Sequence, residues 1–275
     1  EPKDQSTPAN DCNDGFDYVP LSKSKNMLIH LLNIAGIGPI LGAVQGILFG
    51  PVAFILIPLG CVFMGGVHDY FAGMISVKNN GAQITGLVKK YLGKQSYLFF
   101  IFTVSVMLLL LTVVFVYTSG DLIAEKFLKV SDFSLTNPNM IILYGIIGLY
   151  FVFATLFPVD KIIGRIYPLF GALLLVGTGL ILVGFFIHGI TIPEFDIRHI
   201  NLHPKHFAII PIFFATVSCG MLSGFHSTQS TIISRTLKSE YEGREVFYGM
   251  MCVESVIAMI WAAGASYVYS NGLVP

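Results

Sequence analysis

YLFFIFTVSVMLLLLTVVFVYTS, residues 97–119, contains no charged side chain. A helix needs about 20 apolar residues to cross the hydrocarbon layer of a bilayer, which is about 30 Å thick. Inside that layer every backbone N–H and C=O group must find a partner, and an α-helix satisfies these groups within one segment. The stretch therefore predicts a transmembrane helix.

The rest of the sequence has the same apolar character. Of its 275 residues, 54% are hydrophobic and 12% are charged, whereas a soluble domain has about 25% charged residues. The formal net charge is zero, which argues against nucleic acid as a partner. We predict an all-α, polytopic membrane protein with about seven transmembrane helices. The predicted spans are 26–50, 51–77, 97–119, 139–158, 166–190, 207–227 and 246–270.

The chain ends differ from this apolar body. Residues 1–25 carry aspartates among Pro, Ser and Asn, which predicts a solvated tail or loop before a transmembrane domain at 26–275. The chain begins at Glu1 and stops just beyond an apolar block, so we expect a fragment of a longer chain or a processed chain. Gly50 and Pro51 alone join the first two spans, which form either a tight hairpin or two partly re-entrant segments.

Basic residues indicate the orientation. If seven spans alternate, twelve of the sixteen Lys and Arg residues lie on the side of residues 1–25. Cytoplasmic loops carry such an excess, so that side is predicted to be cytoplasmic. On the same side, Ile84, Leu87, Val88 and Tyr91 fall on one helical face beside lysines. This pattern is typical of a helix on the membrane surface or of a packed loop helix.

Few ionisable side chains fall inside the predicted spans. Each costs roughly 2.5 to 3.5 kcal/mol on insertion scales, so each needs a reason. By residue count His30, His68 with Asp69, His226 and Glu254 all lie in the cytoplasmic half of the membrane. They form either a shared substrate or proton pathway or separate polar pairs that hold helices together. The pathway residues that we predict are Asn33, His68, Asp69, Ser223, His226, Gln229 and Glu254.

The stretch SCGMLSGFHSTQS, residues 218–230, carries much of this polarity. If its helix continues, Ser223, His226 and Ser230 share one face. If the helix unwinds after His226, Ser227, Thr228 and Gln229 face the ligand instead. Adjacent helical residues point about 100° apart, so His68 and Asp69 are not expected to face one ligand together.

Small residues recur in the first and sixth spans. Glycines spaced by four let a neighbouring helix approach closely, while a proline inside a helix leaves a carbonyl without its partner. The segment AGIGP, residues 35–39, is therefore either a packing kink or a binding break of the kind that transporters use. The residues assigned to helix breaks and packing are Gly36, Gly38, Pro39, Gly42, Gly220 and Gly224.

The sequence gives little support for a metal site or for an enzyme. His199, His203 and His206 have ligand-like spacing, but Pro204 interrupts the helix that would align them. No CxxC, HExxH or GxSxG motif is present. We therefore predict no metal site, no cofactor and no enzymatic activity.

Five ordered blocks resemble the carbon starvation protein A family. They are DYVPLSK (17–23), NIAGIGPILGAVQG (33–46), GGVHDYFAGMISVKNNG (65–81), SCGMLSGFHSTQS (218–230) and GREVFYGMMCVES (243–255). One departure lies before the second block, where the family often has two histidines and this sequence has Ile29 and His30.

The resemblance implies a multi-pass protein of the bacterial inner membrane. It also implies that this chain is part of a longer protein, with one helix before residue 1 and more helices after residue 275. Family members are associated with uptake of peptides or pyruvate when carbon is scarce, which implies a secondary transporter, with protons as the expected coupling ion. The alternative is a membrane-embedded starvation sensor or signalling subunit, in which the tail and the helix at 84–91 are the working parts.

Overall fold

The computed structural model describes residues 6–130, 136–156, 159–189 and 224–270, together with residues 203, 207, 208, 210, 214 and 218. All regular secondary structure in these residues is helical, which confirms the predicted all-α class. In chain order the helices are α1 (Pro8–Cys12), α2 (Lys23–Ile34), α3 (Ile37–Gly46), α4 (Ala53–Gly60), α5 (Gly66–Lys78), α6 (Ile84–Ile123), α7 (Pro138–Leu156), α8 (Val159–His188), α9 (Gly224–Ile233) and α10 (Met250–Ser270).

The predicted number of about seven spans is not confirmed. Four helical segments of the described chain are long and apolar enough to cross a membrane, or five if α2 and α3 form one bent span. The four segments are Ala53–Lys78, Ile84–Leu128, Leu169–Ile187 and Glu240–Ser270. α7 is a shorter apolar helix, and the predicted span 207–227 falls mainly outside the described residues.

The first predicted span is broken in the middle. α2 ends at Ile34 and α3 begins at Ile37, and the two helical segments are bent by 51°. Pro39 lies in the first turn of α3, where a backbone N–H would have no intrahelical partner in any case. The proline therefore follows the break between two helices and does not interrupt one continuous helix.

Two helices continue through π-helical turns. Cys61–Gly65 joins α4 to α5, and Arg244–Gly249 leads into α10. A π turn bonds residue i to i+5 and changes the angular phase of the residues after it. As a result, the face on which a later side chain lies differs from a count at 3.6 residues per turn.

The chain divides into two compact units, one formed by residues 1–93 and 173–275 and the other by 94–172. In the first unit, α3 packs against α10 through small side chains that include Ala43, Ala258 and Ala262. In the second unit, Tyr144 donates a 2.8 Å hydrogen bond to Asp121 Oδ1. Gly120 makes room for the Tyr144 ring, because a Cβ there would lie 2.3 Å from it.

The helix expected over 84–91 forms the start of α6. Gly93 interrupts α6 with φ 82°, so the segment before it is a separate short helix. Leu87 is buried, whereas Tyr91 is 60% exposed. Only part of the predicted apolar face is therefore covered by protein.

The N-terminal segment contacts the body of the first unit instead of being solvated throughout. Thr7, Pro8 and Ala9 are buried, and the Thr7 hydroxyl donates to the Leu237 carbonyl at 2.5 Å. Asp14 Oδ1 accepts the backbone N–H groups of Tyr18, Phe16 and Asp17, each at 2.9 Å. The bonds from Tyr18 and then Phe16 lower the pKa of the Asp14 carboxyl.

Arg235 connects three parts of this surface. Its Nε donates to the Gly81 carbonyl at 2.8 Å, and its guanidinium lies 5.2 Å from the Tyr18 ring centroid. One of its terminal nitrogens is 3.8 Å from Asp17 Oδ2. The side chain thus ties the N-terminal segment to the α5–α6 loop and to the end of α9.

We expect Arg235→Ala to increase cleavage of the N-terminal segment by an added protease. The variant loses the hydrogen bond to Gly81 and the cation–π contact with Tyr18, each worth about 1 kcal/mol. Limited proteolysis of the detergent-solubilised protein measures the effect. Lys238→Ala is the matched control, because the Lys238 side chain is exposed. Equal cleavage rates for the two variants would show that Arg235 does not hold the segment.

Candidate functional site

Four helices of the first unit bring four ionisable side chains together. They are His30 from α2, Asp69 from α5, His226 from α9 and Glu254 from α10, and each is 0% exposed. We call these four residues the buried cluster. Histidine and carboxylate groups are rarely buried without partners, because burial penalises their charged forms. Their meeting at one place is therefore the main feature of the structure.

Asp69 lies at the centre of the buried cluster. Its Oδ2 atom is 3.4 Å from His30 Nε2 and 3.8 Å from His226 Nδ1. Its Oδ1 atom is 3.0 Å from Nδ1 of the neighbouring His68. Three imidazoles therefore surround one carboxylate.

Glu254 extends the cluster on the far side of His226. Its Oε1 atom is 3.9 Å from His226 Nε2. His226 thus has one ring nitrogen turned to Asp69 and the other turned to Glu254. The two carboxylates are separated by a single imidazole ring.

Most polar atoms of the buried cluster have no hydrogen-bond partner in the described structure. These atoms are both ring nitrogens of His30, both ring nitrogens of His226, Oδ2 of Asp69, and both carboxyl oxygens of Glu254. Buried polar groups are normally hydrogen-bonded, and an unsatisfied one costs about 1 to 3 kcal/mol. If these side chains only held the helices together as polar pairs, we would expect hydrogen-bonding distances between them instead of separations of 3.4, 3.8 and 3.9 Å.

An apolar layer closes one side of the cluster. The Phe247 ring meets His30 edge-on, with 5.5 Å between ring centroids and 89° between the planes. Phe247 also lies over Gly73, where a Cβ would come within 2.4 Å of the ring. The layer consists of the buried side chains Met74, Val77, Ile233, Leu237, Val246 and Phe247.

The predicted pathway residues divide into two groups. The structure brings His68, Asp69, His226 and Glu254 together. Asn33 instead donates to the Ile29 carbonyl at 2.9 Å, within its own helix. Gln229 is buried on α9 with no recorded contact to the cluster, and Ser223 lies outside the described residues.

His68 and Asp69 point in different directions, as expected for adjacent helical residues. Asp69 is fully buried, whereas the His68 side chain is 34% exposed. Their side chains still meet, because the imidazole bends back to the carboxylate. His68 is therefore the partly accessible neighbour of the buried cluster.

The chain stays helical after His226, which decides between the two alternatives for residues 218–230. α9 runs from Gly224 to Ile233 and contains Ser227, Thr228 and Gln229. The Ser230 hydroxyl donates to the His226 carbonyl at 2.8 Å. The alternative in which the chain unwinds at this point is wrong for the described residues.

The glycine and proline predictions have mixed outcomes. Gly36 precedes α3 as its N-cap, Gly38 and Pro39 lie in the first turn, and Gly42 is buried within α3. Gly224 begins α9, and Gly220 lies outside the described residues. The segment AGIGP forms the bend between α2 and α3.

His30 is the cluster residue that our list of pathway residues omits. A signal was available, since His30 falls in the same half of the membrane as the others. Only the packing of α2 beside α5 shows that His30 lies against Asp69.

A cavity of about 570 Å³ lies elsewhere in the first unit. Its lining comes from α3, α8 and α10 and includes Phe185, Trp261 and Tyr267. No member of the buried cluster lines it. The four side chains of the cluster are themselves 0% exposed in this conformation.

Within the described ranges, no group of three or more His, Cys, Asp or Glu side chains has the geometry to hold a metal ion. The described Lys and Arg side chains form no ion pair with the cluster either. The cluster thus contains two carboxylates and two imidazoles, and its charge depends on the protons that they carry.

Membrane-length helices around buried ionisable groups define a polytopic membrane protein with a polar site between its helices. The chain belongs to the family described as carbon starvation protein CstA, which it matches over residues 1–127 and 113–272. The resemblance drawn from the five sequence blocks is thereby confirmed.

Several relatives resemble this chain over nearly its whole length. It is 40% identical to a Haemophilus influenzae protein described as an uncharacterized membrane protein, across 98% of this chain and 84% of that protein. It is 24% identical to the peptide transporter CstA of Campylobacter jejuni and 26% identical to the pyruvate/proton symporter BtsT of Escherichia coli. These alignments cover 94% and 96% of this chain but 45% of each transporter. No solved structure matches the chain.

Proposed function

We propose that the protein is a secondary transporter of the bacterial plasma membrane that takes up peptides or pyruvate together with protons, in response to carbon starvation. The relatives named as a peptide transporter and a pyruvate/proton symporter support this class of activity. The observation that carries the proton coupling is the buried cluster of two histidines and two carboxylates.

The cluster has the properties that coupling requires. With Asp69 and Glu254 ionised and both histidines neutral, it holds two negative charges away from water, which is unfavourable. Added protons reduce this charge, and both imidazole and carboxylate groups can carry them. A proton that binds one conformation of the helices more tightly than another shifts the balance between them.

The substrate is expected to meet the same groups. A carboxylate of pyruvate or of a peptide needs a cation, and a protonated His30 or His226 supplies one. The ammonium group of a peptide pairs instead with Asp69 or Glu254. Binding of a carboxylate and binding of a proton to histidine favour each other, and this reciprocity is what symport requires. An ammonium group instead competes with protons for the carboxylates.

Uptake into proteoliposomes tests the proposal. The purified protein is reconstituted, and labelled pyruvate and a labelled dipeptide are supplied with an inward proton gradient, without one, and with a protonophore. We expect the gradient to raise accumulation of at least one substrate and the protonophore to remove that gain. Equal uptake under the three conditions would exclude proton coupling, and no uptake of either substrate class would exclude the proposed substrates.

A further inference from the structure

Of the three imidazoles beside Asp69 in the described structure, His68 is the one whose side chain is partly exposed. Its side chain is 34% exposed, whereas Asp69 beside it is 0% exposed. The Nδ1 atom of His68 lies 3.0 Å from Asp69 Oδ1, which is hydrogen-bonding distance. The other neighbours of Asp69, His30 and His226, are fully buried.

The ionisable groups form an ordered line that begins at this histidine. The separations are 3.0 Å from His68 to Asp69, 3.8 Å from Asp69 to His226, and 3.9 Å from His226 to Glu254. His68 and His226 contact opposite oxygens of Asp69. Each group in the middle of the line therefore has one atom facing the previous group and another facing the next.

We propose that His68, Asp69, His226 and Glu254 act in that order as a proton path, with His68 as its accessible end and Glu254 as its buried end. This inference rests on the proposed proton coupling and goes beyond it, because it assigns a direction and an order to the residues.

Each transfer conserves the proton. A proton taken up at His68 Nε2 is matched by one that leaves Nδ1 for the ionised carboxylate of Asp69 at Oδ1. Rotation of the protonated carboxyl group turns that proton towards His226 Nδ1, which accepts it, and His226 gives one from Nε2 to Glu254 Oε1. Imidazole suits both of its places because it accepts at one nitrogen and donates from the other, so each histidine ends in its other tautomer. The net result is one proton moved from the donor at His68 Nε2 to Glu254.

The distances from Asp69 to His226 and from His226 to Glu254 are each about 1 Å longer than a hydrogen bond. A small shift of α9 or α10 that shortens these two distances brings the groups within hydrogen-bonding range of one another. A shift in the opposite direction separates them. α10 follows the π-helical turn Arg244–Gly249, and such turns are frequent at functional sites. The path is thus open or closed according to how α9 and α10 pack.

His30 is a branch of this path and not one of its steps. Its Nε2 faces the same Asp69 oxygen as His226, and its ring packs against Phe247. A further titratable neighbour of the path is the buried thiol of Cys61, which interacts electrostatically with Glu254.

Chemical rescue by imidazole tests the order. Each of the variants His68→Ala and His226→Ala is reconstituted, and gradient-driven uptake is measured with and without added imidazole. We expect both variants to lose about 10²-fold in uptake, the lower range for a positioned proton-transfer group. Imidazole is expected to restore uptake to His68→Ala, whose side chain is accessible, and not to His226→Ala, whose side chain is buried.

Two further measurements separate a lost path from a lost fold or a wrong function. Wild-type uptake with and without the gradient, in the same preparation, tests the proposed coupling by itself. Substrate exchange without a gradient measures folding of each variant, and His68→Gln serves as a second variant if the alanine variant fails to fold. Any one of three results would overturn the proposed order. These are uptake at the wild-type rate by the His68 variants, failure of imidazole to restore uptake to His68→Ala, and equal restoration of both alanine variants by imidazole.

Discussion

Asp69→Asn is expected to reduce gradient-driven uptake by about 10²-fold or more, in line with the loss of a group that takes part directly in proton transfer. Asparagine has nearly the same shape as aspartate, so the packing of α5 is preserved. Its amide neither accepts nor releases a proton, however, and the three imidazoles around it lose their shared carboxylate. Uptake by reconstituted protein under an inward proton gradient measures the effect.

Asp121→Asn is the matched control for this prediction. Asp121 is also a carboxylate on a predominantly apolar helix, but it accepts a hydrogen bond from Tyr144 in the second unit. We expect its loss to cost about 1 to 3 kcal/mol of stability and to leave uptake nearly unchanged. Wild-type uptake by Asp69→Asn, or equal loss in both variants, would contradict a special role for the buried cluster.

Gly73→Ala is expected to give the largest loss of stability. The added Cβ would lie 2.4 Å from the Phe247 ring, which is itself fully buried. Overpacking of this kind costs about 1 to 3 kcal/mol and more where neighbours cannot move. Thermal unfolding of the detergent-solubilised variant should therefore show a clearly lower Tm than that of the wild type.

A second substitution shows whether the contact with Phe247 is the cause. The double variant Gly73→Ala with Phe247→Leu is expected to regain part of the lost stability, because the smaller side chain vacates the space that the Cβ needs. Gly177→Ala is the control, since nothing lies within 4 Å of a Cβ at that position. It should unfold at the wild-type temperature or slightly above it, because alanine favours helix more than glycine does. A double variant no more stable than Gly73→Ala would refute the explanation.

The sequence predicted the all-α class and the family well. The uncharged stretch at 97–119 lies within α6, and the family blocks identify the chain correctly. The separate short helix before Gly93 is the one expected at 84–91. The number of spans is not confirmed, since the first predicted span is bent at 35–36 and the sixth lies mainly outside the described residues.

The sequence likewise predicted some features of the site and not others. Residue counting placed His68, Asp69, His226 and Glu254 at a similar depth, which depends on the helical rise and on the alternation of seven spans, a number that is not confirmed. It did not predict that Asp69 turns inward while His68 stays partly exposed, because the π-helical turn Cys61–Gly65 changes the angular phase of α5. Nor did it assign His30, whose importance depends on contact with another helix.

By itself the sequence determined that this chain forms apolar helices of membrane-spanning length and that it places few ionisable groups in them. Both properties are local, since they follow from composition and from the backbone's need to satisfy its hydrogen bonds within each segment. Only the tertiary structure decided that His30, Asp69, His226 and Glu254 meet behind Phe247. Packing between helices that are distant in sequence sets the rotation of each helix about its axis. It also sets the close approach of Phe247 to Gly73. Neither feature can be deduced from one segment of the sequence alone.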